Sequence, residues 1–336
     1  MEIFENGQWL PLVFALLLVV SVLVYAVLDG YDIGVGILTR FSTGKERDTM
    51  IASIGPFWDA NETWLVLAVG LLLIAFPKAN GIILTNLYLP TCLLLVGLII
   101  RGVSFDFRAK AQEQYKEAWN TAFAGGSFLM AMTQGYMLGS YILGFEHDMV
   151  AVVFCLMVGF FIASAYSLIG ASWLIMKTEG ELQKKAVGWA IKALRGMALG
   201  IILVSLASTM ASTYVHDRWF AYPNVLMVLP IPLLTILLVW RMDRILTREM
   251  TAQPQAGCWR PFAMTIGLFV LSLSGLCYSF YPYIVPGQLK IVDAASAPES
   301  LMFILVGALI VLPLLIGYTF YAYKVFHGKT QELSYD

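Results

Sequence analysis

Charge is scarce in this chain of 336 residues. Asp, Glu, Lys and Arg make up 13% of it, against roughly 25% in an average soluble domain. That scarcity excludes an ordinary soluble enzyme. With a net charge of −1, it also excludes the basic surface on which nucleic-acid binding depends. Histidine is scarcer still: His147, His216 and His327 are the three, and none falls in an apolar run. No histidine is therefore offered at membrane depth as an axial ligand to a haem, and no two-His metal spacing exists. The four cysteines, Cys92, Cys155, Cys258 and Cys277, lie far apart and form no CxxC. They read as small buried hydrophobes rather than as a disulfide or metal framework. No phosphate-binding loop or nucleophile motif occurs, and the 15 methionines are spread as core filling.

Apolar sequence is what the chain has in abundance. Hydrophobic residues form 59% of it, and the mean hydropathy is +0.77. Runs of about twenty apolar residues recur from end to end, each long enough for a bilayer core of about 30 Å. The first run follows Glu2 and Glu5 rather than a basic segment, so it reads as a mature helix and not a cleavable signal. The pattern predicts an all-α polytopic membrane protein, a single integral membrane domain over 1–336. Nine transmembrane helices are predicted, at about 9–39, 54–76, 81–103, 121–143, 149–175, 196–214, 223–241, 261–283 and 301–323. Two four-helix bundles plus one peripheral helix would suit that number. The segment 284–300, with Pro286, Gly287 and Pro298, reads as a loop. With this helix count, every Lys and Arg except Lys78, Arg218 and Lys290 falls on one side. Basic residues mark the cytoplasmic side, which puts the N-terminus in the periplasm and the C-terminus in the cytoplasm.

The acidic residues are unevenly placed. Asp29 and Asp32 interrupt VLVYAVLDGYDIGVGILTR (22–40) near the cytoplasmic end of the first predicted helix. Asp59 and Glu62 lie in WDANETW (58–64) at the start of the second, and Asp106 follows the end of the third. Measured from Arg40 at about 1.5 Å per residue, Asp32 is about 12 Å and Asp29 about 16 Å into the membrane. Spacing of i,i+3 places each pair on one helix face. Carboxylates at such depth mark proton relays, ion paths or paired sites, so these five are the candidates for carrying protons.

Structural readings stand beside that one. Asp59 and Glu62 occupy the first turns of a helix behind Pro56, where the helix dipole favours acidic groups. Asp106 has Arg101 and Arg108 as candidate interfacial partners. Gly30, Gly34 and Gly36 let membrane helices approach closely. Trp58 and Trp64 serve equally as packing or interfacial aromatics.

Beyond these physical arguments, DGYDIGVGILTRF (29–41) followed by SIGPFWDANETWL (53–65) resembles the second subunit of cytochrome bd-type quinol oxidases. That family shows a DGFDMGVG-like end to its first helix and a WDGNQVW-like start to its second. RGVSFDFRAK (101–110), PLLTILLVWRMDR (232–244), YPYIVP (281–286) and VDAASAPESL (292–301) match further family segments in order. The chain is a short form, most similar to the cyanide-insensitive type.

The resemblance implies an inner-membrane complex that oxidises ubiquinol and reduces dioxygen to water. In it, two b-type haems and one d-type haem belong to a larger first subunit, the partner of this chain. It further implies a structural quinone in some members and a place for a small single-helix accessory subunit. By resemblance, Asp59 and Asp106 match acidic positions of a cytoplasmic proton path, Asp29 an acidic position of the first helix, and Trp64 an aromatic at the mouth of an oxygen path. Ala60 and Glu62 depart from the family's Gly and Gln, which adds a carboxylate. Two other readings use the same residues: a proton- or cation-coupled transporter, and a purely structural assembly subunit. Charge confined to one half of the chain and one leaflet argues against the transporter, whose binding groups belong near the midplane of both repeats.

Overall fold

A computed structural model describes residues 9–253 and 255–330. Nearly every element is helical, because a backbone in lipid must satisfy its own hydrogen bonds. The long helices are α1 (Trp9–Leu38), α3 (Trp58–Ala75), α5 (Tyr88–Lys110), α6 (Glu113–Ile142), α7 (Met149–Lys177), α8 (Gly180–Ala211), α11 (Pro230–Arg244), α13 (Arg260–Phe280) and α15 (Pro298–Val325). Short helices fill the connections: α2 (Gly44–Ile54), α4 (Pro77–Asn86), α9 (Thr213–Phe220), α10 (Asn224–Val228), α12 (Met250–Ala252) and α14 (Ile291–Ala294). Eight helical segments among the described residues are long and apolar enough to cross a membrane, with 224–252 counted as one. α6 has the length but is more polar, carrying Asn120, Thr133 and Gln134. It turns its polar side chains into its neighbours: Asn120, Ser127 and Thr133 are buried.

α1 is the axis of the N-terminal half and packs against α3, α6 and α7. Its crossing with α7 is closest at Gly34 and Gly170. A Cβ on Gly34 would lie 1.8 Å from the Tyr166 carbonyl oxygen, so this approach requires glycine. Gly36 faces Ser127 of α6 in the same way, and Gly30 faces the Tyr166 ring. α7 passes the contact on to α8 and α13, and α13 packs against α11.

Several boundaries differ from those read in the sequence. The predicted helix 81–103 straddles a break at Leu87, between α4 and α5. Pro90 has no N–H to give the Asn86 carbonyl, so the helix restarts there. The predicted helix 196–214 begins sixteen residues earlier, as α8. Its first half is amphipathic and seats Leu182, Ala186, Val187, Ala190 and Leu194 in the core while its lysines face out. A single hydropathy window misses such a helix. The segment read as a loop over 284–300 contains a two-stranded antiparallel pair, β1 (Tyr283–Val285) with β2 (Leu289–Lys290), and α14. It is tied down: Ser296 gives its N–H to the Ala75 carbonyl (2.9 Å) and its hydroxyl to the Ile74 carbonyl (2.7 Å). These contacts serve carbonyls that the end of α3 leaves without helical partners.

The ends of α1 and α15 and the last turn of α5 are held by side chains. Arg47, on the amphipathic α2, donates to the Thr39 and Ser42 carbonyls where α1 ends, and to Glu117. Arg108 pairs with Asp48 and donates to Asn120 at 2.5 Å. Lys177 donates to the Phe326 carbonyl at 2.8 Å, pinning the end of α15.

Candidate functional site

α1, α3 and α5 meet around one buried cation. Arg101 of α5 places Nη1 2.8 Å from Oδ1 of Asp29 and 2.9 Å from Oε1 of Glu62. Asp29, Asp32 and Arg101 are each 0% exposed, and the Glu62 side chain retains 17%. Helical periodicity explains the grouping. Asp29 and Asp32 share a face of α1, and Glu62 lies one turn into α3 on the side facing α5. Trp58, also on α3, roofs the guanidinium at 5.9 Å and packs against Phe105 with ring centroids 5.0 Å apart.

Two hydrogen-bonded groups support the charges. On one side, Asn61 Nδ2 donates to Asp32 Oδ2 (2.8 Å) and to the Tyr31 hydroxyl (2.9 Å). Tyr31 stacks on Trp173 at 4.2 Å and touches the Tyr323 hydroxyl at 2.6 Å. On the other side, Tyr166 donates to Gln134 (2.5 Å) and Gln134 to the Tyr25 hydroxyl (2.9 Å). Among the described residues, neither oxygen of Asp29 has an aligned hydrogen-bond donor, and Arg101 Nε and Nη2 have no acceptor. The Arg101–Asp29 contact is thus an ion pair in distance rather than a shaped fork.

The five expected carboxylates therefore separate into two groups. Asp29, Asp32 and Glu62 come together around Arg101. Asp59 and Asp106 are exposed, next in sequence to Trp58 and Phe105, the two rings that join α3 to α5. Arg101 is not the partner of Asp106. Five residues on a helix turn through about 500°, which puts Asp106 about 140° around α5 from Arg101. Trp64 is buried, and its indole N–H has no partner among the described residues. The residues that sequence reasoning missed are Arg101, as the buried counter-ion, and the polar partners Asn61, Tyr31, Tyr323, Gln134, Tyr25 and Tyr166. A signal for Arg101 was present: two carboxylates deep in one helix call for a base from a neighbour.

Chemically, three acids facing one base make a site with more negative than positive groups. Such a site can hold protons, and its half-buried member gives them access. Among the described residues no group of three or more His, Cys, Asp and Glu is arranged to hold a metal ion. All three histidines are exposed, His147 and His327 outside the helices and His216 on the short α9.

Comparison with known proteins bears on this arrangement. The family described as cytochrome bd terminal oxidase subunit II matches residues 10–326. The chain is 28% identical over 327 residues to the cytochrome bd ubiquinol oxidase subunit 2 of Bacillus subtilis, covering 91% of this chain and 92% of that one. It is 28% identical over 372 residues to the cytochrome bd-I ubiquinol oxidase subunit 2 of Escherichia coli K12, covering 96% of each. Its fold is similar to that of a chain in the bd oxidase of Geobacillus thermodenitrificans, with a TM-score of 0.75 at 17% identity over 94% of this chain and 98% of that one.

Proposed function

The chain belongs to the cytochrome bd terminal oxidase subunit II family, and from that premise we propose that it is the haem-free subunit of a quinol:oxygen oxidoreductase that takes up protons from the cytoplasm for reduction of O2 to water. Its partner is the subunit that bears the haems, two b-type and one d-type, in a bacterial inner membrane. Nine spans with the N-terminus outside follow if α6 crosses with the eight apolar segments, which its length and its place between α5 and α7 support. The haem-free reading is supported by the donor set: every histidine here is exposed, in a connection or on the short α9 rather than within a long apolar helix.

The observation that carries the proton-uptake reading is the imbalance of the site. Asp29 and Glu62 share one arginine, and Asp32, one turn from Asp29, has only the neutral Asn61 amide; a buried excess of carboxylates is tolerated only with protons or further cations bound. In this reading Asp59 and Asp106 form the outer mouth, where the partner covers α3 and α5, and Glu62 passes protons between that mouth and the interior. Trp64, buried on α3, stands in this reading at the mouth of an oxygen path, as the family resemblance implies. Asp29 also supports a plainer role: its ion pair with Arg101 locks α1 to α5, so part of the cluster serves assembly. Turnover and haem content of the purified complex separate the two. Asp59→Asn and Asp106→Asn should each slow O2 reduction while haem content stays near wild type. Full turnover in both variants at every pH would refute the proton path.

A further inference from the structure

α15 lies at the edge of the fold, with buried side chains only at Leu301 and Ala322, yet it sends one polar group into the charge cluster. The Tyr323 hydroxyl lies 2.6 Å from that of Tyr31 and donates to Asn61 Oδ1 at 3.4 Å. The amide nitrogen faces Asp32 and donates to its Oδ2, which leaves Oδ1 facing Tyr323. Nδ2 also donates to Tyr31, so the Tyr31 hydrogen is directed to Tyr323 and the Tyr323 hydrogen to Oδ1. Three donations close a ring: Asn61 to Tyr31, Tyr31 to Tyr323, Tyr323 back to Asn61. The second amide hydrogen is left for Asp32, with the Leu28 carbonyl as a longer alternative at 3.3 Å.

The ring has firm walls. Tyr31 is stacked on Trp173, and Tyr323 lies against Phe57 at 4.6 Å. Three residues further along, Lys177 holds the Phe326 carbonyl. Without the Tyr323 hydroxyl, Oδ1 loses its donor and the Tyr31 hydrogen loses its acceptor. The amide is then free to rotate and present its carbonyl to the carboxylate.

We propose that Tyr323, Tyr31 and Asn61 are positioning residues for Asp32, and that the ring couples the seating of the C-terminal helix to the carboxylate cluster. The consequence for turnover rests on the proton-uptake reading above; the positioning itself does not. The test uses the purified two-subunit complex with Tyr323→Phe, Asp32→Asn and the double variant. Quinol-oxidase turnover is followed against pH, and the infrared carboxyl stretch that disappears in Asp32→Asn is recorded. Tyr323→Phe should move that stretch, alter the pH profile and lower turnover by about tenfold, the scale of one hydrogen bond to a charged group. It should add nothing in the Asp32→Asn background. An unmoved stretch, or an equal effect of Tyr323→Phe with and without Asp32, overturns the inference. If the stretch moves but Asp32→Asn keeps wild-type turnover at all pH, the positioning holds and the proton reading falls. Should Tyr323→Phe fail to assemble, Tyr31→Phe opens the same ring one link earlier and is judged by the same readings.

Discussion

Replacing Arg101 by methionine keeps much of the side-chain volume and removes the one cation at the centre of the site. Its guanidinium meets Asp29 at 2.8 Å and Glu62 at 2.9 Å. With charge centres about 4 Å apart and an effective dielectric near 20, each pair is worth about 4 kcal/mol in gross attraction. Most of that is offset by the desolvation of the ions, so the gross figure overstates the effect. What survives is the cost of stranding a buried charge, about 3–5 kcal/mol when one partner of a buried pair is removed. Asp29 dominates it, being fully buried, whereas Glu62 keeps some contact with its surroundings. Arg101→Met should therefore lower the melting temperature and the yield of the purified complex severely. Arg101→Met with Asp29→Asn should recover more than half the loss, because no stranded anion remains there. Arg101→Lys should fall between, keeping the charge on a shorter, more strongly hydrated head group. A single variant that melts like wild type, or a double variant as damaged as the sum of its parts, would refute the reasoning.

Three further perturbations follow from the packing. Gly34→Ala drives a methyl to 1.8 Å from the Tyr166 backbone oxygen, so the α1–α7 crossing must open and the complex should assemble poorly; Gly70→Ala, with nothing within 4 Å, should be neutral or slightly stabilising in the same thermal assay. Arg47→Ala takes the side-chain donor from the Ser42 carbonyl and leaves that of Thr39 only the Ser42 N–H, and a loss of about 1–3 kcal/mol in melting experiments is expected for a buried acceptor left unpaired. Glu117 lies below the predicted span 121–143, and hydrogen bonds from Asn120 and Arg47 hold its carboxyl below the usual glutamate range. Its stabilising contribution is present above the unfolded value of about 4.3 and is lost as pH falls through the lowered folded value. The gap in melting temperature between Glu117→Gln and wild type should accordingly be small at neutral pH, since the side chain is largely exposed, and close in acid.

The fold was legible where one physical rule decides the outcome. Continuous apolar runs such as that of α1 or α7 declare themselves, because lipid accepts little else. α6 shows the other side: it is too polar to satisfy hydropathy alone, since Asn120 and Gln134 are matched by Arg108, Tyr25 and Tyr166 of other helices, which the sequence does not display, and Ser127 and Thr133 by carbonyls of α6 itself. α8 was half seen, because its amphipathic first half gives a moment rather than a run. In the site, depth singled out Asp29 and Asp32 correctly as buried groups. Arg101 was masked by its position at the end of an apolar run, where arginine ordinarily reaches for the interface. Asn61, Tyr31 and Tyr323 gave no signal, because their significance lies in a contact spanning 292 residues of chain.

The central claim is that the carboxylates gathered around Arg101 receive protons from the cytoplasm for O2 reduction. Glu62→Gln tests it most directly, because Glu62 is the half-buried member between the exposed Asp59 and the interior. The measurement is time-resolved proton uptake from the cytoplasmic side of the reconstituted complex after mixing with O2, with the haem spectrum recorded in the same sample. The account predicts an uptake phase slowed by at least roughly tenfold, at the low end of what a positioned proton-transfer group contributes, with an unaltered haem spectrum. Uptake at the wild-type rate with the same spectrum would contradict it.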